Sequence, residues 1–508
     1  MIVYAQRKQI VRPASLPLLT DPLDALIEWG EAESAAADAL CPERDSLEPA
    51  LTAFRTAMRQ AARVYWSGTG SLPALDVSAL PSRLEVSVPE GYAFYALDPR
   101  TYGEAAVRFW EDERPRLAVV IGIRSIGASL SAVVCAALEE RGCAVQSYTV
   151  RPRGHPFDRR LEVDSPLVDE WRRAHGSHFL VVDEGPGLSG SSFASVARAL
   201  RETAGVPDER IVFFPSWNPD GTAFVSEAAR DEWRRHRRVA AAPASKPPGE
   251  DLSAGNWRTL FYPAGCGPPV HPQHERRKFL DDGVLWKFAG IGKYGRAKRE
   301  RAQVLSEAGF TPPPVALESG YLGSRFVNGR PVTGANGGLL ARLRAYLNFL
   351  DETFRIDAPV PVDAIDEMVA NNAPEALPEL RKCVAAVCNE NICAIDGRML
   401  PHEWIETLDG YLKTDALDHH NDHFFPGCQS VLWDLAAATI EFGLDESTGE
   451  YLYHHCRQSG RYYELAYLSY RAGYCSMAAN SLCSPEADRF RVGTAFYRRR
   501  LQETLSHG

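Results

Sequence analysis

The sequence predicts a multi-domain protein in which an α/β domain with a parallel sheet is followed by an α+β domain. The chain has 508 residues, more than a single hydrophobic core usually organises. Short apolar runs alternate with helical segments over residues 115–239, which is typical of a parallel sheet with helical crossovers. After a Pro-rich stretch, the pattern changes to a strand, a charged helix and a long helical region.

This pattern divides the chain into four segments. Residues 1–114 are predicted to form a helical and mixed region, because Asp21-Pro22 is a helix start signal and an apolar stripe follows it. Residues 115–239 form the α/β domain, residues 240–252 a linker, and residues 253–508 the second domain. The strands predicted in the α/β domain are residues 117–121, 144–150, 178–182 and 210–214.

Composition and charge exclude several classes of function. The chain carries 66 acidic and 56 basic residues, a net charge of −10, whereas general nucleic-acid binders present a basic excess. There is no apolar stretch of about 18 residues and no signal-peptide pattern, so we expect neither a membrane span nor secretion. The cysteines form no Cys-x-x-Cys pair, and we predict a cytoplasmic protein with reduced thiols. The oligomeric state stays open.

The most informative segment is residues 179–193, where an apolar strand ends in two acids and leads through a Gly/Ser-rich loop into a helix. At the carboxyl end of a parallel strand, the chain faces the crevice in which ligands bind. Glycines let backbone N–H groups approach an anion, serines add donors at a helix N-terminus, and carboxylates suit sugar hydroxyls or Mg²⁺. The candidate residues are Asp183, Glu184, Gly187, Ser189, Gly190, Ser191 and Ser192.

This segment resembles the loop of type I phosphoribosyltransferases that binds 5-phosphoribosyl diphosphate (PRPP): a strand, two acids, a spacer and Thr-Gly-x-Thr. Here the spacer is one residue longer, and serines replace the threonines. The resemblance covers roughly residues 115–225. It implies that the two acids contact the ribose diols and that the serine loop holds the 5-phosphate. It also implies that Gly122, Arg124 and Ser125 belong to the pyrophosphate loop and that residues 151–160 form a mobile flap.

In this interpretation the chemistry is a displacement at the anomeric carbon of ribose. Magnesium and Arg124 would neutralise the departing pyrophosphate, while Asp183 and Glu184 act at the ribose. An ordinary Gly-rich turn between a strand and a helix, in some other doubly wound domain, is the alternative interpretation.

The second candidate site begins at Gly290-Ile-Gly-Lys-Tyr-Gly295, which matches the Gly-x-Gly-x-x-Gly fingerprint of dinucleotide-binding domains. A fingerprint strand is buried on both faces, yet the preceding strand carries Lys287 in its middle, which disfavours this interpretation. In kinases, a lysine within a strand and an acid on the next helix together bind the phosphates of the nucleotide. Lys287 and Glu300 are therefore predicted to bind nucleotide.

The order of segments resembles the aminoglycoside-phosphotransferase-like kinases over roughly residues 275–480. Besides the strand lysine, the segments that carry the resemblance are Phe326-Val-Asn-Gly-Arg-Pro, Tyr411-Leu-Lys-Thr-Asp and Trp433-Asp-Leu-Ala. The resemblance implies ATP as substrate, Mg²⁺ as cofactor and Asp415 as a metal ligand, and Asp418 is predicted beside it. The family's catalytic loop carries an Asp base and an Asn ligand. Pro401-His-Glu-Trp stands in that place here, which leaves His402 or Glu403 as candidates for the base.

The polar cluster of Asp418, His419, His420, Asp422 and His423 also permits a zinc or iron site, because imidazole and carboxylate suit both metals. The cluster lacks a His-x-x-x-His framework and a cysteine partner. A solvated polar loop beside the kinase magnesium site is therefore the preferred interpretation.

Together these patterns favour a bifunctional enzyme. Its first activity would be phosphoribosyl transfer to a small-molecule acceptor, and its second domain would add an ATP-dependent phosphorylation. The alternative is a catalytically degenerate sensor or regulatory protein that binds nucleotide or sugar phosphate, which the altered Pro401-His-Glu-Trp loop and the longer spacer favour. The expected partners are small molecules, PRPP or a related sugar phosphate and ATP.

Overall fold

The computed structural model describes residues 8–11, 19–187, 189–222, 224–422 and 425–506. The chain divides into two compact units. The amino-terminal unit comprises Lys8–Lys246 and Gly290–Tyr294. The carboxyl-terminal unit comprises Pro247–Ala289 and the chain from Gly295 onward. In the described residues, no helix is both long enough and apolar enough to span a membrane.

Helices and strands alternate along the amino-terminal unit. In chain order they are β1 (Lys8–Val11), α1 (Pro22–Leu40), α2 (Pro49–Ser67), β2 (Leu84–Ser87), α3 (Glu90–Ala93), α4 (Pro99–Glu113), β3 (Leu117–Ile123), α5 (Gly127–Glu140), β4 (Ala144–Val150), β5 (Arg153–His155), β6 (Asp158–Arg160), α6 (Ser165–Arg173), β7 (His178–Val182), α7 (Ser191–Ala204), β8 (Ile211–Phe214), α8 (Glu227–Arg235) and β9 (Arg237–Arg238). The Asp21-Pro22 signal does begin a helix, because the Asp21 carboxylate accepts hydrogen bonds from the first-turn N–H groups of α1.

The centre of this unit is a five-stranded sheet in the order β4-β3-β7-β8-β9, and all of its neighbouring strands are parallel. The predicted parallel sheet is therefore confirmed. The chain runs outward from β3 to β4 and then returns to β7 on the other side of β3, so the strand order reverses between β3 and β7. In open α/β sheets ligands bind beyond the carboxyl ends of the strands at such a switch point.

Helices cover both faces of this sheet. On one face, α6, α7 and α8 pack on the strands through a core that includes Trp171, Phe193, Phe213 and Trp233. On the other, α5 packs against β3, and α1 and α2 pack on α5. Strands β3 and β7 are buried almost throughout, which explains why they read as continuous apolar runs in the sequence. β5 and β6 form a hairpin within the segment predicted as a flap.

The carboxyl-terminal unit begins with strands and ends with helices. Its elements are β10 (Glu250–Asp251), β11 (Lys278–Asp281), β12 (Val284–Phe288), α9 (Lys293–Glu307), β13 (Pro314–Glu318), β14 (Tyr321–Arg325), β15 (Arg330–Pro331), α10 (Gly337–Thr353), β16 (Arg355–Ile356), α11 (Val362–Asn372), α12 (Leu377–Lys382), α13 (Val384–Val387), β17 (Ile392–Cys393), β18 (Trp404–Thr407), β19 (Gly410–Lys413), α14 (Leu432–Phe442), α15 (Glu446–Leu452), α16 (Arg457–Ser481) and α17 (Glu486–Ser506).

Two layers of this unit frame its cavity. The first is an antiparallel sheet in the order β10-β11-β12-β14-β13, on which α9 packs through Ala302 against Leu322 and Ala289. The second is a helical layer with a large core that includes Tyr346, Trp404, Trp433 and residues of α16. The β18–β19 hairpin and the residues directly after it line the cavity. The observed architecture of this unit is α+β, as predicted.

Candidate functional site

The carboxyl-terminal unit contains a cavity of about 220 Å³. Strands β11, β12 and β14 provide one wall, α9 another, and the β18–β19 hairpin with the residues after it a third. Apolar and aromatic side chains line part of the cavity, and these include Leu252, Trp257, Phe261, Val270, Leu285, Leu322, Phe326, Val327 and Ile405. Seven lysine and arginine side chains and five carboxylates line the rest: Arg276, Lys278, Lys287, Lys298, Arg325, Arg398, Lys413, Glu275, Glu403, Asp415, Asp418 and Asp422.

Lys287 lies on β12 and faces the segment after β19. Its Nζ is 2.5 Å from Asp415 Oδ1 and 3.8 Å from Asp418 Oδ1. Burial disfavours the charged ammonium, but the two carboxylates outweigh burial and raise the pKa of Lys287. The structure thus brings Lys287 and Asp415, both candidates from the sequence, into direct contact. Their chemical roles stay predictions.

Asp418 is surrounded by cations from three parts of the unit. Its Oδ2 accepts hydrogen bonds from Lys298 Nζ at 3.0 Å and from Arg276 Nε at 3.3 Å. Its Oδ1 is 3.8 Å from Lys287 Nζ. Burial alone would raise the pKa of this carboxyl, but the three cations hold it well below its usual range. Neither Lys298 nor Arg276 was a candidate from the sequence.

Glu300 does not take the place that the kinase arrangement predicts. It lies exposed on α9, whereas the side chains of α9 that are buried include Lys298 and Arg301. Glu300 is two residues from Lys298 and therefore points away from the buried face, because one residue turns the helix by about 100°. The acids that pair with Lys287 come from the segment after β19 instead.

Lys413 sits fully buried at the end of β19, between two carboxylates. Its Nζ is 2.8 Å from Glu403 Oε2 and 3.2 Å from Asp396 Oδ2. Tyr346 also donates a hydrogen bond to Asp396, at 2.8 Å. Asp434, on α14, accepts hydrogen bonds from the backbone N–H groups of Asp396 and Gly397, both at 2.8 Å. These ion pairs and hydrogen bonds fix the backbone at Asp396 and Gly397.

The two candidate bases both line the cavity, but they differ in their surroundings. The His402 ring stacks on Trp257, with centroids 5.7 Å apart, and burial lowers its pKa to about 4, so the imidazole is neutral at pH 7. Glu403 is buried, and its Oε1 lies 3.2 Å from Arg398. Burial would raise the pKa of Glu403, but Lys413 and then Arg398 outweigh burial and lower it.

The ligand atoms of Glu403, Asp415 and His419 lie within 4.8 Å of one another, which raises the question of a metal ion. His419 Nδ1 is 3.3 Å from Asp396 and its Nε2 is 3.4 Å from Asp415. Burial disfavours the imidazolium, but these carboxylates raise the pKa of His419 to about 9, and a protonated ring has no lone pair for a metal. Because Lys287 and Lys413 also occupy the two carboxylates, these donors do not fit a resident magnesium ion.

Among the described residues of the polar cluster near Asp418, only His419 belongs to a group of three possible metal ligands. His420 is buried, and Asp422 lies 3.8 Å from Arg276. His423 lies outside the described residues. The predicted metal ligands Asp415 and Asp418 are both present in the cavity, yet both are ion-paired with lysine or arginine.

In the amino-terminal unit, Asp183 and Glu184 directly follow β7 at the switch point of the sheet. Glu184 Oε2 accepts a hydrogen bond from the N–H of Gly91 at 2.8 Å, and the Tyr102 hydroxyl donates to the backbone oxygen of Asp183 at 2.8 Å. Burial raises the pKa of Asp183 to about 7. Burial, reinforced by the neighbouring Asp183, raises the pKa of Glu184 to about 8. The two acids therefore form a desolvated pair.

The residues predicted for the pyrophosphate loop are bound to other parts of this unit. Arg124 is buried and ion-paired with Asp38 at 3.0 Å and with Asp45. The Ser125 N–H donates to Ser34 Oγ at 3.2 Å, and that hydroxyl donates back to the Ser125 oxygen at 3.1 Å. Ser125 also adopts a φ of 103°, a strained value for a residue with a side chain.

Gly122 has a packing role in this structure. A methyl group on Gly122 would overlap the backbone oxygen of Gly127 and the Ser131 hydroxyl. The glycine is therefore required where β3 meets the start of α5, and its binding role stays a prediction. The predicted binding role of Arg124, Ser125 and Gly122 would need these groups to exchange their present partners.

The serine loop precedes α7. Gly190 has a φ of 61° in the left-handed region that favours glycine, and Gly187 is exposed. The Ser189 and Ser191 hydroxyls lie 3.0 Å apart, and Ser191 donates a hydrogen bond to the backbone oxygen of Pro156 at 2.7 Å. Ser192 is half-buried at the first turn of α7, and Leu188 lies outside the described residues. The turn of the β5–β6 hairpin thus contacts the serine loop that is predicted to bind phosphate.

No protein-family model and no curated protein sequence matches the chain. Among solved structures, a choline/ethanolamine kinase family protein from Mesorhizobium loti shares 14% identity, with a TM-score of 0.35 over 48% of this chain and 93% of that one. Choline kinase LicA from Streptococcus pneumoniae shares 11%, with a TM-score of 0.32 over 48% and 96%. Plasmodium vivax ethanolamine kinase shares 10%, with a TM-score of 0.28 over 61% and 93%.

Proposed function

We propose that the carboxyl-terminal unit binds a nucleoside triphosphate of the ATP type in its cavity and transfers the terminal phosphoryl group to a small molecule. The observation that carries this proposal is the ion pair of Lys287 and Asp415 in the lining of the cavity, where Nζ and Oδ1 are 2.5 Å apart. Kinases place a strand lysine and an aspartate from a later segment at the phosphates of a nucleotide, and Lys287 on β12 with Asp415 after β19 is similar to that pair.

The lining of the cavity supports a nucleotide in particular. Its apolar and aromatic part suits a planar base, and its charged part, with more lysines and arginines than carboxylates, suits a phosphate chain. A small-molecule site typically combines such an apolar wall with a few polar groups that fix orientation.

The transfer step needs stabilisation of charge on the phosphoryl oxygens. Lys287, Lys298 and Arg276 would supply it, because lysine and arginine clamps stabilise transferring phosphoryl groups in sites from which water is excluded. His402 is the candidate for taking the proton of the acceptor, since its ring is neutral at pH 7 and borders the cavity. A pKa of about 4 makes it a weak base, so its contribution would come chiefly from position.

The test has two stages on the full-length protein. Calorimetric titration with ATP measures binding, and ADP release in the presence of pools of small alcohols and amines measures turnover. We expect Lys287→Met to weaken ATP binding at least about tenfold, as the loss of one charge-assisted hydrogen bond implies. The matched control is Lys382→Met, at a lysine whose side chain is 72% exposed, and it should bind ATP like the wild type.

The outcomes separate the candidate functions of this unit. Failure to bind ATP would refute the proposal outright. Binding without ADP formation from any acceptor would instead assign the unit a sensory or regulatory role. The ion-paired state of Asp396 and Glu403 favours that second role, because neither carboxylate is free to accept a proton.

For the amino-terminal unit we propose a sugar-phosphate site at the switch point between β3 and β7. The half-buried acid pair at the carboxyl end of β7, whose pKa values are both raised, supports it. Phosphoribosyl transfer from PRPP is the finer hypothesis, and it requires Arg124 and the serine loop to be released from Asp38 and from Pro156. Titration with ribose 5-phosphate and with PRPP tests it, and equal heats for wild type and Asp183→Asn/Glu184→Gln would contradict it.

A further inference from the structure

Three cationic side chains converge on the part of the cavity assigned above to the phosphate chain. Arg276 precedes β11, Lys287 lies on β12, and Lys298 lies on α9. All three contact the same carboxylate, Asp418, at 3.3, 3.8 and 3.0 Å. Arg276 and Lys298 are only 6% and 8% exposed, so their positions are fixed by packing before any ligand arrives.

The carboxylates of the same region are already neutralised. Asp415 forms an ion pair with Lys287 at 2.5 Å, and Asp422 forms one with Arg276 at 3.8 Å. A divalent cation could reach Asp415 or Asp418 only by displacing these partners. It would then sit among several ammonium and guanidinium groups in a buried environment, where repulsion between like charges is strong.

An anion meets the opposite situation. Arg276, Lys287 and Lys298 converge from three different elements on one part of the lining, and hydrogen bonds from such charged donors to phosphate oxygens are the strong ones. The lysine ammonium groups and the arginine fork offer donors to several phosphate oxygens at once. Asp418 then acts as a positioning residue that holds the three cations together, because all three contact its carboxylate.

We propose that the cavity binds the phosphate chain of its nucleotide directly through Arg276, Lys287 and Lys298, and that this binding requires no divalent metal ion. The proposal rests on the nucleotide binding proposed above. It replaces the sequence-based assignment of Asp415 and Asp418 as magnesium ligands, because both carboxylates instead fix cations.

The experiment is calorimetric titration of the full-length protein with ATP, once with excess EDTA and once with excess Mg²⁺. We expect the two dissociation constants to agree within about threefold. In EDTA, ADP and AMP should bind progressively more weakly than ATP, since each lost phosphate removes acceptors for the three cations. This comparison uses the wild-type protein and does not depend on how well any variant folds.

A variant identifies the groups responsible. In EDTA, Lys298→Met should weaken ATP binding about ten- to hundredfold, the range for one charge-assisted hydrogen bond, while Lys382→Met should leave it unchanged. Circular dichroism verifies that both variants are folded. A folded Lys298→Met protein with wild-type affinity in EDTA would overturn the assignment.

The results also distinguish this inference from the function on which it rests. ATP binding that appears only with Mg²⁺ would overturn metal-independent binding and leave nucleotide binding intact. An absence of ATP binding under both conditions would overturn both proposals.

Discussion

Replacing Lys413 by methionine removes the cation that two buried carboxylates share. Lys413 is fully buried, with Nζ 2.8 Å from Glu403 and 3.2 Å from Asp396. Methionine has a similar length and an apolar stem, so the substitution removes charge with little change in packing. Breaking a buried ion pair costs ~3–5 kcal/mol, because it leaves an uncompensated charge. Since Arg398 stays near Glu403 and His419 near Asp396, we expect the lower end, ~3 kcal/mol.

Denaturant unfolding followed by tryptophan fluorescence measures this loss, because Trp404 and Trp433 are buried in the same unit. Lys382→Met is the matched control, since it removes an exposed lysine from an ion pair at 2.7 Å and should cost less than ~1 kcal/mol. Lys413 lowers the pKa of both carboxyls, so its contribution is present at neutral pH and is lost as the pH falls through their folded-state values. A loss no larger than that of the control at pH 7 would refute the reasoning.

Three further predictions concern substitutions at other sites. Asp434→Ala leaves two buried N–H groups without their acceptor and should lower the unfolding free energy by ~2–6 kcal/mol in denaturant titrations, with Asp434→Asn less harmful. Gly122→Ala should cost ~1–3 kcal/mol because its methyl group overlaps a backbone oxygen, whereas Gly187→Ala, with open space around it, should change thermal stability little. Because the pKa values of Asp183 and Glu184 are raised to about 7 and about 8, the folded state retains protons that the unfolded chain releases, and stability falls as pH rises. Asp183→Asn/Glu184→Gln should therefore gain melting temperature over wild type between about pH 5 and pH 8, and a constant difference would contradict the raised values.

The parallel sheet could be predicted from the sequence because its central strands, β3, β7 and β8, are buried on both faces. Residues 117–121 and 178–182 are almost entirely apolar, and a short apolar run between helical segments has few other interpretations. The position of the acid pair after β7 followed from the same pattern, since an acid that ends such a run lies at the carboxyl edge of the sheet.

The charged centre of the second cavity could not be predicted in the same way. Lys413, Asp396 and Asp434 are brought together over separations of 17 and 38 residues, and none of them has a local pattern that requires a partner. On α9 the buried face was hard to recognise from the sequence, because charged residues contribute to it. Glu300 was chosen as the acid on the helix after the strand lysine, but it is exposed, and the buried charged residues of α9 include Lys298 and Arg301, which the usual preference of charged residues for solvent does not predict.

Both candidate sites share one physical feature, which is that their polar groups are paired within the protein. Arg124 is held by Asp38, Ser191 by the Pro156 oxygen, and Lys287 by Asp415. A ligand phosphate must therefore replace an internal acceptor, and the net affinity is the difference between two strong interactions. Under the binding proposed above, one phosphate chain would replace Asp415 at Lys287 and would also contact Arg276 and Lys298. These two can keep their hydrogen bonds to Asp418, because ammonium and guanidinium groups have several donors. A single phosphate can replace only part of that pairing, so affinity should rise steeply with the number of phosphates.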